Sequence, residues 1–125
     1  PEKIDKLENW EIFVFGANAK GEYIGGAALT AKEKFGAIEG QIGLNGQSYG
    51  FITLNEKMER LSDDEIKKET DKLIKSANEN TSRIFLLTKV GCGIAGYDEE
   101  KVKTFFKRQD IPANIIVPKS WEYLY

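Results

Sequence analysis

The chain contains no histidine, one cysteine (Cys92) and three prolines in 125 residues. Without histidine, Ser-His-Asp and Cys-His arrangements and imidazole general bases are excluded. With one cysteine besides, no zinc ligand set can be assembled, and no metal site is expected. A lone thiol cannot form an intramolecular disulfide framework; it fits a reducing, cytosolic setting, and a cytoplasmic location is the expectation. No apolar run is long enough to cross a bilayer, so no membrane partner is expected. The opening "PEKIDKLENW" lacks the apolar stretch of a secretory signal, although a processed chain could have shed one. Net charge is −2 with a pI near 5.3, so nothing global draws the chain to nucleic acid, which is not favoured as a partner.

What is present is ordinary for one globular domain spanning residues 1–125: 41% hydrophobic and 30% charged residues. "EIFVFG" (11–16) reads as a buried strand ending at glycine. "GGAALTAKEKFGA" spaces Ala27, Ala28, Leu29, Ala31 and Phe35 for a helix, with Gly36 as its stop. Residues 36–46 read as glycine-rich and irregular, and "QSYGFITL" as a second strand or extended segment in which Gly50 marks a bend or a close backbone contact. "LSDDEIKKETDKLIKSANEN" carries a capping box at Ser62 and Glu65, with Ile66, Leu73, Ile74 and Ala77 on one face. "RIFLLTKV" predicts a strand buried on both faces. Asp98 can cap a helix through about Lys107, and "ANIIVP" predicts a last short strand. Strands alternating with helices imply an α/β fold: a three-layer α/β/α sandwich with a mostly parallel mixed sheet. In such sheets ligands bind beyond the carboxyl ends of the strands.

Two strand–glycine–helix passages attract a functional reading. Gly91-Cys92-Gly93-Ile94-Ala95-Gly96 is a GxGxxG string between a strand and a helix. A Rossmann fingerprint would need a second strand ending in an acid about 20 residues later. Asp110 stands near that distance but precedes the last strand instead of following one, and too few residues follow Gly96 to complete such a domain. A glycine loop can still turn backbone N–H groups toward an anion at a helix start, or serve only as a tight turn. The passage "FGANAKGEYIGGAALTA" repeats the arrangement. Two such loops at neighbouring strand ends could clasp a diphosphate.

These residues resemble the macrodomains that bind ADP-ribose. "GAN", "AKGEYI" and "GGAA" are similar to that family's first binding loop, and "GCGIAGY" is similar to its second, of the form Gly-x-Gly-Ile-x-Gly-aromatic. "GGAALTAKEKFGA" and "VGCGI" lie nearest the branch that includes terminal ADP-ribose protein glycohydrolase, and the whole pattern looks like a group of small phage and bacterial macro-like proteins. The resemblance, covering about residues 11–117, implies a macrodomain-like fold. It implies Asn18 at the distal ribose, Gly25, Gly26 and Ala27 near the phosphates, and Gly91, Cys92, Gly93, Ile94, Ala95 and Gly96 around the diphosphate. Tyr97 would pack on the distal ribose or cover the cleft. No cofactor is implied.

The departures bear on catalysis. By the resemblance, the glycohydrolase branch's lysine falls at Leu54 and its aspartate at Ala95, and neither replacement can do that chemistry. The aspartate that other hydrolytic macrodomains carry in the first helix is missing from "GGAALTA", and "PEKIDKLENW" is too short for the usual adenine-reading segment. The leading expectation is therefore an ADP-ribose-binding or related diphosphate-nucleotide-binding domain that recognises or sequesters its ligand. The alternatives are a divergent ADP-ribosyl glycohydrolase working through Lys20 or Glu22, and an interaction module that has kept the fold and lost the ligand. "GLNGQSYG" (43–50) either lines the cleft or only shapes a bend. Trp10, Trp121, Tyr123 and Tyr125 read as core or edge-covering aromatics, and Cys92 as a small loop residue or an acidified thiol.

Overall fold

A computed structural model describes residues 7–21, 26–38, 43–91, 96–108, 110–118 and 120–121. Strands and helices alternate along it: β1 (Glu11–Asn18), α1 (Gly26–Lys34), β2 (Gly43–Asn45), β3 (Ser48–Leu54), α2 (Asp63–Glu79), β4 (Ile84–Leu87), α3 (Glu99–Phe105) and β5 (Ile115–Ile116). The five strands form one mixed sheet in the order β2-β3-β1-β4-β5. β2 runs antiparallel to β3, and the other neighbours are parallel.

β1 organises both faces. Successive side chains of a strand point to opposite sides. Ile12 and Val14 accordingly join Ile66, Leu73, Ile74 and Ala77 of α2 and Val102 and Phe105 of α3 on one face, while Phe13, Phe15 and Ala17 join Ala31 and Phe35 on the other. The rings of Phe13 and Phe35 lie 4.8 Å apart. The result is an α/β architecture with helices on both faces of a mostly parallel sheet, as the element order predicts.

α2 begins as its sequence dictates. Ser62 Oγ accepts from Glu65 N at 3.2 Å, and Glu65 Oε1 accepts from Ser62 N at 2.9 Å. The bonds from Ser62 hold the Glu65 carboxyl below its usual pKa. Two N–H groups that the first turn leaves unpaired are thereby satisfied. Ser62→Ala should lower stability by about 1 kcal/mol, read as a shift in urea midpoint with unchanged slope.

Three expectations need correction. β1 does not end at Gly16; it runs on to Asn18, with its register against β3 shifting between Ala17 and Asn18. Residues 36–46 are not wholly irregular, since Gly43–Asn45 pair with Ser48–Gly50 in a hairpin. β4 is shorter than "RIFLLTKV" and is fully buried on one face only: Phe85 and Leu87 are buried, Ile84 and Leu86 half-buried. Among the described residues the opposite face is covered by α1 and Leu7, which pack over β1 and β3. Of the aromatics read as core or edge-covering, Trp121 is fully buried in the α2/α3 layer and Trp10 is half exposed; Tyr123 and Tyr125 lie outside the described residues. Among the described residues no helix is long and apolar enough to cross a membrane.

"GLNGQSYG" is bound up in shaping the hairpin. Asn45 Oδ1 accepts from Ile38 N at 2.8 Å, Gln47 Nε2 donates to Glu8 O at 2.9 Å, and Ser48 Oγ donates to Asn45 O at 3.0 Å. Ser48 aligns with Phe13 in the first half of β1, so the segment sits toward the end of the sheet opposite Asn18. A methyl group on Gly50 would meet Ala17 Cβ at 3.4 Å, the close contact its place inside a strand implies.

Candidate functional site at the carboxyl ends of the parallel strands

β1, β3 and β4 are parallel neighbours with β1 in the middle, so their exits gather at one edge of the sheet. β1 leads to α1 on one face; β3 and β4 lead to α2 and α3 on the other. In parallel sheets, the place where connections diverge to opposite faces is where a crevice outside the strand ends takes ligands.

The exit of β1 is a tight turn. Ala19 N donates to Leu54 O at 2.9 Å, and Gly21 N donates to Asn18 O at 3.0 Å, with Gly21 at φ +71°. Asn18, the last residue of the strand, is 8% exposed. Lys20 is exposed at the tip. Gly26 and Ala27 open α1, whereas Gly25 and Glu22 lie outside the described residues.

At the exit of β4, Gly91 adopts φ +77°, and its carbonyl accepts from Tyr97 N at 2.8 Å, joining the two ends of the passage. Gly96 adopts φ +74°, and a Cβ there would meet no described residue within 4 Å. Cys92, Gly93, Ile94 and Ala95 lie outside the described residues. The two exits meet through the backbone: a Cβ on Gly16 would stand 3.1 Å from Gly91 N. An interior strand glycine signals such an approach. Gly16 and Gly91 both abut Thr53, whose hydroxyl donates to Ala17 O at 3.3 Å.

Tyr97 fastens this arrangement. Its hydroxyl accepts from Leu61 N at 2.7 Å and donates to Thr53 O at 2.6 Å. Burial raises its pKa. The phenol is thus tied to the segment that follows β3, while Arg60 lies over the ring, Cζ 5.8 Å from its centroid, and donates through Nη1 to Gly96 O at 3.1 Å. Asp98 caps α3, its carboxylate accepting from Glu100 N at 3.2 Å. Leu54 ends β3 half-buried and bridges to Arg60. Asp110 is engaged elsewhere, accepting from Arg108 at 2.8 and 2.9 Å ahead of β5.

Comparison with protein-family models, with curated proteins and with solved structures finds no significant match.

The structure therefore brings Asn18, Gly91, Gly96 and Tyr97 to one edge of the sheet. Gly16, Thr53 and Arg60 stand at this edge as well, though the sequence alone does not assign them to a site. Gly16 carried a usable signal, a glycine between apolar strand residues; Thr53 and Arg60 carried none. Among the described residues no cluster of three or more acidic or cysteine side chains could hold a metal ion.

Proposed function

We propose that the chain binds ADP-ribose or a related diphosphate nucleotide in the crevice between the exits of β1 and β4, as a domain that recognises or sequesters the ligand. The observation that carries this reading is the convergence of the two glycine-bearing exits on adjacent parallel strands, with Gly91 N against Gly16. A diphosphate needs several donors close together, and backbone N–H groups of glycine loops supply them without side chains in the way. In this reading the "GCGIAG" and "IGGA" passages cradle the diphosphate and Asn18 holds a ribose. Tyr97, with its hydroxyl occupied, offers its ring. The proposal stops at binding, because Leu54 presents an aliphatic side chain where the resemblance implies a lysine nucleophile.

Calorimetric titration of the folded chain with ADP-ribose, NAD and AMP tests it. Saturable heat is expected with ADP-ribose, and its loss in Gly93→Val while the melting temperature holds. No heat from any of the three ligands would refute nucleotide binding; unchanged affinity in Gly93→Val would refute the placement of the diphosphate.

A further inference from the structure

We infer that Arg60 is the cationic ligand-binding residue of this crevice, donating its guanidinium to a phosphate oxygen of the bound diphosphate; this rests on the binding reading above. Arg60 bridges to Leu54 at the end of β3. Its side chain reaches Gly96, beyond the end of β4. Since β1 lies between those strands, the guanidinium links the exits of the two strands that flank the one ending in Asn18.

The group is preorganised. One N–H is spent on Gly96 O, and Cζ lies over the Tyr97 ring, 5.8 Å from its centroid, with that ring pinned by its two hydroxyl bonds. Arginine has five N–H donors in a rigid fork that matches phosphate oxygens. The other anchored cations are paired with acids: Arg108 with Asp71 and Asp110, Lys89 with Glu99, Lys101 with Asp63, and Lys103 with Glu100. Among the described residues Arg60 has no carboxylate partner; its hydrogen bond goes to a carbonyl, and the residue is exposed. A Cβ on Gly96 would meet no described residue within 4 Å. In a chain of net charge −2, a diphosphate held by neutral backbone donors gains most from one fixed positive charge at the rim. The ligand class this selects is an organic diphosphate rather than a neutral nucleoside.

The test is calorimetry on the full chain with ADP-ribose and with inorganic pyrophosphate, comparing wild type, Arg60→Gln and Arg60→Lys. Arg60→Gln should weaken ADP-ribose binding by about 10- to 100-fold with an unchanged melting temperature. It should also flatten the loss of affinity that an about tenfold rise in salt produces in wild type. Arg60→Lys should recover part of the affinity and the salt response. Wild-type affinity in Arg60→Gln would overturn the inference and leave the binding reading standing. So would weakened binding with an unaltered salt response, which would mean that Arg60 only positions Gly96. If wild type binds neither probe, the binding reading falls and this inference with it.

Discussion

Gly91→Ala should lower stability by about 2–5 kcal/mol, whereas Gly96→Ala, five residues on and at nearly the same φ, should cost only about 1–2 kcal/mol. Both sites need the left-handed region, in which an L side chain costs about 1–2 kcal/mol. At Gly96 that is the whole expected effect, since a methyl group would meet no described residue within 4 Å. At Gly91 it would stand 2.9 Å from Cδ1 and 3.2 Å from Cγ of Tyr97, and 3.3 Å from Thr53 Cγ2. The ring cannot swing clear without surrendering its hydroxyl bonds to Leu61 N and Thr53 O. Overpacking of this kind adds about 1–3 kcal/mol. Urea unfolding of the two variants side by side decides the matter; equal losses would show that Tyr97 yields and is not a fixed wall.

Gly46→Ala is expected to lose about 2–5 kcal/mol although Gly46 is exposed in the turn between β2 and β3. A methyl group there would lie 2.6 Å from Gly36 O, 2.9 Å from its carbonyl carbon and 3.0 Å from its Cα, and Gly46 is itself at φ +59°. The obstacle is backbone, so no rotamer relieves it. It is also fixed: Gly36 ends α1 at φ +77°, and Gln47 N donates to Phe35 O at 2.9 Å, tying the hairpin to the end of that helix. Gly43→Ala is the matched control, at φ +74° with no described residue within 4 Å of a Cβ, and should show the left-handed cost alone, about 1–2 kcal/mol. A Gly46→Ala loss no larger than the control, measured by chemical denaturation, would mean that the hairpin and the end of α1 separate freely.

The elements legible in the sequence are those whose signal is local. Ser62 and Glu65 announce the start of α2 because the capping bonds involve residues three apart, and the spacing of Ile66, Leu73 and Ile74 fixes its buried face. β2 is not legible, because Gly43-Leu44-Asn45 is extended through pairing with β3, not through any preference of its own. Nor is the half-burial of Ile84 and Leu86, which depends on where α1 lands. For the candidate site, a glycine marks a place where a side chain is excluded by close packing or by a positive φ; Gly91 meets both conditions and Gly96 the second. The position of Arg60 inside the charged run "NEKMERLSDD" carries no such sign; only the path of the chain from β3 back past Leu54 sets its guanidinium beside Gly96 and over Tyr97.

The central position of β1 has a consequence for the order of events in synthesis. The strand made first pairs on one side with β3 and on the other with β4, Glu11 aligning with Ile84 and Val14 with Leu87. Contacts so distant along the chain are slow to form, because the intervening segment must be ordered to bring them together. A growing chain therefore carries β1 with one edge unpaired until residues 84–87 have left the ribosome. Through that interval Ile12 and Val14 can be shielded by α2 but not by α3, and Gly16 has no Gly91 to face. The meeting of the β1 and β4 exits thus waits on β4, and an edge left bare that long is where a nascent chain is most open to wrong pairing.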